Sequence, residues 1–388
     1  MNKIKIAVFG ISDVILRAIK SAVDPSRAEM VVFFDNDKIK QEVDYEDIPV
    51  LAPSREIISD YSIEYIIVTA LSAYEDIRMQ LMDLGISKDI IQVFVADELR
   101  EYCIGSIDDI NIDLVKNIYF EPQKRMDIIT EYKEIYNQYA TALKYEEEED
   151  AWFNKSHFIS HACGGIVNGK RMMYSNSKEA FQYSMEKGFR LIECDIMRMD
   201  NNELVLAHDY ERFYDAEHDE YTMMAVDELL MLLQKYEMVS CLIDVKWNSH
   251  DDYAFLVDEI NKKIRKLTNS DSEMGLLKKK IIMEVYDEET IKIAKSNEFE
   301  MIFTQYRNKK WKCFMDTVNL CHKYDVKVVA MSVEAALQME KFVKIITDKG
   351  IKIFVYSVDN IDEYSAIRKM NIAGVFTNYL VENVITKG

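Results

Sequence analysis

The feature that most constrains the fold is a repeated alternation of short apolar runs and helix-like segments in the second half of the chain. From Ser156 onward eight apolar runs can be counted, and segments with helical spacing separate them. The runs are Phe158–His161, Leu191–Asp195, Ser240–Val245, Lys280–Val285, Met301–Thr304, Lys327–Met331, Lys352–Val358 and Gly374–Thr377. Eight strand–helix units in about 230 residues predict a compact (β/α)8 TIM barrel.

The first part of the chain shows a second alternation of strands and helices. Its strand-like runs are Lys5–Phe9, Met30–Phe34, Tyr65–Thr69 and Ile91–Val95, and its helix-like segments are Asp13–Ala22 and Tyr74–Leu84. Strands separated by helices predict a parallel sheet, so residues 1–100 are expected to form a small Rossmann-like α/β domain. Residues 101–155, with helical spacing from Met126 to Leu143, are expected to be a helical linker, and residues 156–388 the barrel.

The end of the first strand lacks a complete dinucleotide fingerprint. The fingerprint needs G-x-G-x-x-G, and the sequence Gly-Ile-Ser-Asp-Val-Ile keeps only Gly10. Gly10 therefore either lies against a ligand or only makes the turn into the helix. Asp35, after the second strand, either binds a ribose hydroxyl or is a solvated strand end. No cofactor-binding residue is predicted for this domain.

Two histidines and two carboxylates accompany the first two predicted strands of the barrel. His161 ends the first apolar run, and Glu193 and Asp195 lie in the second. A turn and a short strand then lead to His208. Because such barrels keep their chemistry at the carboxyl ends of the strands, these side chains are expected to meet at one mouth. Imidazole titrates near neutral pH, so His161 and His208 are candidates for a general base and a general acid.

The spacing of Glu193 and Asp195 indicates a cation site. Side chains two residues apart on a strand point to the same side. Two converging carboxylates repel each other unless a proton or a cation lies between them. We therefore expect one divalent cation, Mg²⁺ or Ca²⁺, because these ions take oxygen ligands. The alternative is that both residues are half-buried polar groups of the barrel.

The order of these motifs resembles the glycerophosphodiester phosphodiesterase family, within the phosphatidylinositol-phospholipase-C-like superfamily. The family has His-Arg-Gly, Glu-Asn-Thr, Glu-x-Asp and His-Asp, and the matching residues are His161, Asn176-Ser177, Glu193 with Asp195, and His208-Asp209. Asp244-Val245-Lys246 is similar to the family's Glu-x-Lys. The last two apolar runs are similar to its Trp-Thr-Val-Asn and Gly-x-x-Thr-Asp endings, with Tyr356 in place of the Trp and Asn378 in place of the Asp.

The resemblance implies a metal-dependent phosphoric diester hydrolase that cleaves a glycerol- or polyol-containing phosphodiester. Its cation would be held by Glu193, Asp195 and Asp244. His161 and His208 would act as the acid–base pair. A substrate hydroxyl beside the phosphate would attack first to give a cyclic phosphate, which water then opens.

Three further residues are expected to contact the substrate. Lys246 would supply positive charge to the phosphate, although Asp244 and Lys246 could also be an internal ion pair. Glu284 ends the fourth predicted strand and faces the same mouth, where it would contact either the substrate or the ligands. Tyr356, at the end of the seventh strand, either lines the pocket or packs in the core.

Two departures from the family pattern leave other functions open. Ala162 stands where the family has the Arg that follows its first His, and Ser175 stands where it has the Glu of Glu-Asn-Thr. One alternative is a phospholipase C/D-like lyase that releases a cyclic phosphate. The other is a catalytically impaired binding or scaffold protein.

Composition limits the partners and the compartment. The formal net charge of -20 argues against nucleic acid or an anionic membrane as a main partner. A small-molecule or glycan-linked phosphodiester is the expected substrate. The six Cys show no C-x-x-C spacing, which favours a reducing, cytoplasmic setting over a disulfide framework. No apolar run approaches the roughly 20 residues of a transmembrane helix.

Overall fold

The computed structural model describes most of the chain as two compact units. The described residues are 2–42, 44–70, 73–95, 109–141, 151–215, 221–306 and 311–381. One unit comprises residues 1–141 with 309–313, and the other comprises residues 142–308 with 314–388. Parts of the predicted linker, residues 101–108 and 142–150, lie outside the described residues, so the predicted domain limits stay a prediction.

The first unit contains a five-stranded parallel sheet. Its strands are β1 (Ile4–Phe9), β2 (Ala28–Phe34), β3 (Val50–Leu51), β4 (Tyr65–Val68) and β5 (Ile91–Val93), in the order β3-β2-β1-β4-β5. Its helices are α1 (Asp13–Ala22), α2 (Arg55–Asp60), α3 (Tyr74–Asp83), α4 (Ile112–Ile118) and α5 (Pro122–Thr141). The predicted parallel α/β sheet is confirmed.

Gly10 allows the tight connection between β1 and α1. Its φ of +93° lies in the left-handed region that favours glycine. A Cβ at this position would lie 3.0 Å from the Cβ of Ala70, which follows β4. The glycine therefore allows two neighbouring loops to approach each other at the carboxyl end of the sheet.

The second unit is a closed barrel of eight parallel strands. They are β6 (Phe158–Ser160), β9 (Leu191–Arg198), β11 (Ser240–Val245), β12 (Ile281–Val285), β13 (Ile302–Tyr306), β14 (Val328–Ser332), β15 (Lys352–Tyr356) and β16 (Gly374–Thr377). β16 pairs with β6 and β6 pairs with β9, which closes the ring. Each of the eight predicted strands is present, so the predicted TIM barrel is confirmed.

Helices surround the barrel, and the unit also contains two short antiparallel strand pairs. The helices are α6 (Lys178–Glu186), α7 (Tyr210–Asp215), α8 (Val226–Lys235), α9 (His250–Leu267), α10 (Asp271–Lys278), α11 (Glu288–Ser296), α12 (Trp311–Tyr324), α13 (Val333–Gln338), α14 (Glu340–Asp348) and α15 (Ile361–Ile367). β7 (Ile166–Val167) pairs with β8 (Lys170–Arg171), and β10 (Leu204–Leu206) pairs with β9. Within the described part of the chain, no helix is both long and apolar enough to cross a membrane.

Alternation along the strands separates the barrel core from the site. One buried cluster contains Ile159, Leu191, Leu242, Ile282, Phe354 and Phe376 from six of the strands. Side chains two residues further along a strand point to the same side. Those positions are His161, Glu193, Asp244, Glu284, Tyr356 and Asn378. The apolar layer fills the barrel, and the polar layer lies above it at the carboxyl ends of the strands.

Candidate active site

A strained turn after β6 aims a backbone amide into the barrel mouth. Ala162 and Cys163 both have positive φ angles, of 48° and 65°. Such angles are uncommon for residues other than glycine and occur where the surrounding structure enforces them. In this conformation the N–H of Ala162 donates a hydrogen bond to Glu193 Oε2 at 2.8 Å. The residue that stands in place of the family's Arg therefore contributes its backbone rather than a charge.

Two carboxylates on adjacent strands share one ammonium group. Asp195 on β9 and Asp244 on β11 are register partners. Lys246 Nζ lies 2.6 Å from Asp195 Oδ1 and 2.6 Å from Asp244 Oδ2. The predicted phosphate-binding lysine thus bridges two of the three predicted cation ligands.

Polar side chains from two other segments complete the contacts of these carboxylates. Asn176 Nδ2 donates to Asp195 Oδ2 at 2.9 Å, and the N–H of Asp195 donates to Asn176 Oδ1 at 3.0 Å. The hydroxyl of Tyr286 donates to Asp244 Oδ1. Asp195 and Asp244 are therefore fixed in position by at least two donors each.

The cluster carries more negative charge than Lys246 can neutralise. Burial, together with the charge of Asp195, raises the pKa of Glu193 well above its usual range. Burial also disfavours the ionised form of Asp195, but the charge and hydrogen bond of Lys246 outweigh it and lower its pKa. Burial would lower the pKa of Lys246, yet the two adjacent carboxylates raise it. Glu193 is thus the acid of the cluster that no ammonium group contacts.

The ring of Tyr174 contacts both predicted catalytic histidines. Its centroid is 5.0 Å from the ring of His161 and 4.9 Å from the ring of His208. His161 Nδ1 is 3.2 Å from Asn378 Oδ1, and His208 Nδ1 is 2.8 Å from Asp209 Oδ2. Burial and the neighbouring His208 lower the pKa of His161, so its ring is neutral at neutral pH.

An open cavity of about 710 Å³ extends from the cluster. Its lining includes His208, Asp244, Lys246, Trp247, Tyr286 and Arg198. The indole of Trp247 packs against Tyr286, with ring centroids 5.4 Å apart. The cavity therefore joins one imidazole and the ammonium group to an aromatic wall.

The other predicted site residues do not line this cavity, and they are His161, Glu193, Asp195, Glu284 and Tyr356. Glu284 is buried on β12, one position beyond the pair formed by Ile243 and Met283. Tyr356 packs its ring edge-on against Phe376, with centroids 6.2 Å apart. The substrate contacts predicted for Glu284 and Tyr356 stay predictions.

The donor set fits a divalent cation. Glu193, Asp195 and Asp244 supply carboxylate oxygens, and their excess negative charge is the kind that Mg²⁺ or Ca²⁺ neutralises. Among the described residues, no group of three or more His, Cys, Asp or Glu side chains is arranged as a finished metal cage. The ammonium group of Lys246 bridges two of the three carboxylates, Asp195 and Asp244.

Sequence reasoning assigned no role to several residues that complete the site. Tyr174 and Tyr286 follow no periodic pattern, because they lie in connections beside the strands. Asn378 was recognised only as a departure from a family motif. Cys163 lies close to His161 in sequence, but its thiol is buried, and the hydrogen bond that it donates to Cys194, together with burial, raises its pKa. That thiol is a poor nucleophile.

The fold is a TIM barrel that carries two histidines and a carboxylate cluster at the carboxyl ends of its strands. The model of the glycerophosphoryl diester phosphodiesterase family matches residues 211–382. The match confirms the family predicted for the barrel and the predicted enzyme class, a phosphoric diester hydrolase. The matched range begins just after His208 and Asp209 and does not include the first two barrel strands, β6 and β9. In the structure these two strands belong to the same closed sheet as the matched ones.

The first unit matches a different family. The model described as C2185-like, N-terminal, covers residues 2–92. No curated protein sequence matches the chain.

Several solved structures have a similar barrel. A glycerophosphodiester phosphodiesterase from Thermotoga maritima is 16% identical over 63% of this chain and 100% of its own, with a TM-score of 0.44. One from Parabacteroides distasonis is 13% identical over 60% and 95%, with a TM-score of 0.47. A phosphodiesterase from Oleispira antarctica, solved with sn-glycerol-3-phosphate, is 13% identical over 58% and 93%, with a TM-score of 0.41. At these values the likeness does not indicate a substrate for this chain.

Proposed function

We propose that the barrel cleaves a phosphodiester of glycerol or of another polyol by acid–base catalysis with His161 and His208. The observation that supports this most is that both imidazoles contact the ring of Tyr174, at centroid distances of 5.0 and 4.9 Å. A binding protein has no need of two imidazoles that contact one side chain beside a buried acidic cluster. Proton transfer to or from a positioned side chain typically increases the rate by about 10²–10⁴-fold.

The first step is attack by a substrate hydroxyl next to the phosphate. His161 accepts the hydroxyl proton at Nε2, because its Nδ1 faces Asn378. The oxygen forms a bond to phosphorus, and the bond from phosphorus to the leaving alcohol breaks. The leaving oxygen takes a proton from His208, whose Nδ1 is oriented by its hydrogen bond to Asp209.

The second step reverses the proton transfers. Water enters in place of the alcohol, and His208, now neutral, accepts its proton. The ring bond of the cyclic phosphate breaks, and His161 returns its proton to the substrate oxygen. The products are the free alcohol and a phosphate monoester, and both histidines are restored.

Positive charge beside the phosphate completes the proposal. Lys246 Nζ lies at the edge of the cavity and would face the phosphoryl oxygens. A divalent cation, Mg²⁺ or Ca²⁺, would be held by Glu193, Asp195 and Asp244. When bound it would polarise the phosphoryl oxygens and neutralise charge that develops on them.

The test is hydrolysis of glycerophosphodiesters with and without EDTA. Wild type is compared with His161→Ala and Glu193→Ala, and product is followed by phosphorus NMR. We expect turnover by wild type only, with a loss on chelation that added Mg²⁺ or Ca²⁺ restores. Equal background in all three proteins would reject the enzyme.

Two alternatives give different results in the same assay. A phospholipase C/D-like lyase would accumulate a cyclic phosphate instead of a monoester. An impaired binding or scaffold protein would bind the diester without turnover. The latter draws support from the missing Arg at Ala162 and from the engagement of Lys246 by two carboxylates.

A cytoplasmic location is also part of the proposal. The Sγ atoms of Cys194 and Cys241 lie 3.4 Å apart as free thiols, which suits a reducing compartment. Thiol titration of protein purified under nonreducing conditions tests this. Quantitative disulfide formation between these two cysteines would argue for an oxidising compartment.

A further inference from the structure

The side-chain amide of Asn378 connects His161 to a second carboxylate. Asn378 follows β16 and is buried, with 4% of its surface exposed. Its Oδ1 lies 3.2 Å from His161 Nδ1, and its Nδ2 donates to Asp359 Oδ2 at 2.8 Å. Its backbone N–H donates to Asp359 Oδ1 at 2.6 Å. Asp359 thus holds both the backbone and the side chain of the residue that touches His161.

The carboxylate of Asp359 fixes which way the amide points. An ionised carboxylate only accepts hydrogen bonds, so the amide atom 2.8 Å from it must be the nitrogen. The reverse orientation would place two oxygens at that distance. Asn378 Oδ1 therefore faces His161, and because that oxygen only accepts, His161 Nδ1 must carry the hydrogen.

The other nitrogen of His161 is then an acceptor. Its Nε2 lies 4.0 Å from Glu193 Oε2, which is too long for a hydrogen bond. In the neutral Nδ1–H tautomer, Nε2 carries a lone pair and no proton. This is the state in which an imidazole acts as a general base.

We propose that Asp359 and Asn378 are positioning residues, which hold His161 in the Nδ1–H tautomer and leave Nε2 free to accept the proton of the attacking hydroxyl. The proposal rests on the proposed function for its catalytic consequence. The tautomer itself is a property of the resting protein and is measured without substrate.

The two imidazoles are supported by different chemistry, and the difference matches different roles. His208 Nδ1 lies 2.8 Å from a carboxylate oxygen of Asp209. His161 Nδ1 meets a neutral amide, and the charge of Asp359 is one residue further away. The family endings that this sequence resembles carry Asn and Asp at these two positions, and the chain carries Asp359 and Asn378. This chain therefore keeps one amide and one carboxylate at these two positions, and its amide is the group that contacts His161.

The experiment compares single and double exchanges at these two positions. Asp359→Asn removes the acceptor that orients the amide, while Asp359→Asn combined with Asn378→Asp restores a donor–acceptor pair and places the carboxylate against Nδ1. Nitrogen NMR of histidine-labelled protein above neutral pH reports which ring nitrogen carries hydrogen. Since the chain has six His, His161→Gln assigns the signal.

We expect Asp359→Asn to lose the single Nδ1–H form and to lower kcat about 10- to 100-fold, with KM within about twofold, as for other residues that orient a catalytic side chain. The double variant regains the Nδ1–H form and kcat to within about tenfold of wild type, because its carboxylate accepts from Nδ1 directly. Rescue of this kind distinguishes positioning of His161 from general stabilisation of the loop.

Thr377→Val is the matched structural control. The Thr377 hydroxyl donates to the same carboxylate at 3.1 Å and accepts from the N–H groups of Tyr379 and Leu380, so its loss loosens the loop without touching the amide of Asn378. We expect its Tm to fall while His161 keeps the wild-type tautomer. An unchanged tautomer in folded Asp359→Asn would overturn the proposal. If no phosphodiester is cleaved by wild type, the proposed function fails, and the tautomer measurement still decides this inference.

Discussion

The cavity in the barrel mouth and a cavity in the first unit lie at equivalent places in their sheets, but their charged groups are paired differently. Each lies at the carboxyl ends of parallel strands, where α/β proteins bind ligands. In the barrel mouth, three buried carboxylates lie near one ammonium group, which contacts Asp195 and Asp244 but not Glu193. Burial, together with the charge of Asp195, raises the pKa of Glu193. This cavity keeps an arrangement that costs stability unless a ligand completes it.

The cavity of the first unit, about 450 Å³, has its polar groups paired among themselves. Asp35 Oδ2 accepts from Lys40 Nζ at 2.9 Å and from the N–H of Ile11 at 3.4 Å. Asn36 and Gln80 exchange two amide hydrogen bonds of 2.9 and 2.8 Å. Asp35 is therefore not a solvated strand end, because it is buried and ties two loops together.

The difference indicates that the carboxyl ends of parallel strands are where a ligand site can form. Buried charged groups without a partner of opposite charge indicate which of these places binds a ligand. Substitutions in the barrel mouth should lower activity and either spare or raise stability. Substitutions in the first cavity should lower stability and spare activity. Each prediction below tests one side of this contrast.

The largest expected effect is on turnover, from His208→Ala. Removing the imidazole beside Asp209 should lower kcat by about 10²–10⁴-fold, because the leaving oxygen loses its acid. Steady-state hydrolysis of a glycerophosphodiester measures this. The matched control is His157→Ala, which removes an imidazole from the other end of β6, where its Nδ1 bonds to the carbonyl of Ala373. Comparable losses in both variants would contradict the role of His208.

The next effect is on stability, and it distinguishes the contribution of a bound cation from that of the carboxylates alone. In EDTA, Glu193→Gln should leave the free energy of unfolding unchanged or slightly raised, because burial and the charge of Asp195 already disfavour the ionised carboxylate that the amide replaces. With Mg²⁺ or Ca²⁺ at a hundredfold excess over its Kd, wild type should gain about 2.7 kcal/mol and the variant should not. Thermal unfolding in both conditions measures this. A gain of the same size in both proteins would exclude Glu193 as a ligand.

Some of the site was predictable from sequence because strand alternation dictates it. Glu193 lies two residues beyond Leu191, and His161 lies two beyond Ile159, so both point inward wherever the apolar residues do. The closed barrel and the parallel sheet of the first unit followed from the same periodicity. The carboxyl ends of all the strands then had to meet.

The rest of the site depends on loop paths that periodicity does not encode. Tyr174 has a φ of 63°, an angle that no aromatic residue prefers, so nothing local predicts where its ring lies. The position of Lys246 was also open, since a flexible side chain reaches either a phosphate or a neighbouring carboxylate. The structure has it between Asp195 and Asp244. Charge balance in the folded site decides between such alternatives.

A smaller effect on turnover is expected at Tyr174. Tyr174→Ala removes the ring that packs against both imidazoles and should lower kcat about tenfold, because a loosened pair is aligned less often. Tyr174→Phe keeps the ring and should remain within about twofold of wild type. Steady-state kinetics of both variants measures the contribution of the ring. Equal losses in both would show that the hydroxyl, and not the ring, matters.

The smallest effect is expected in the cavity of the first unit, from Asp35→Asn. Burial opposes ionisation of Asp35, but the hydrogen bond from Lys40 and those from backbone N–H groups lower its pKa below the unfolded value. The ion therefore stabilises the fold above about pH 4, and this contribution is lost as the pH falls through the lower folded-state pKa. At neutral pH the substitution should cost about 1 kcal/mol, measured by urea unfolding.

The pH series makes this last prediction specific to the Asp35 carboxylate. The gap between wild type and Asp35→Asn should narrow as the pH is lowered from about 6 to about 3, because wild type loses the ion that the variant already lacks. Hydrolysis of the diester at neutral pH should stay within about twofold of wild type. A gap that stays constant with pH would mean that Asp35 contributes by packing alone. A large loss of hydrolysis would mean that the first cavity, despite its paired polar groups, serves the reaction in the barrel.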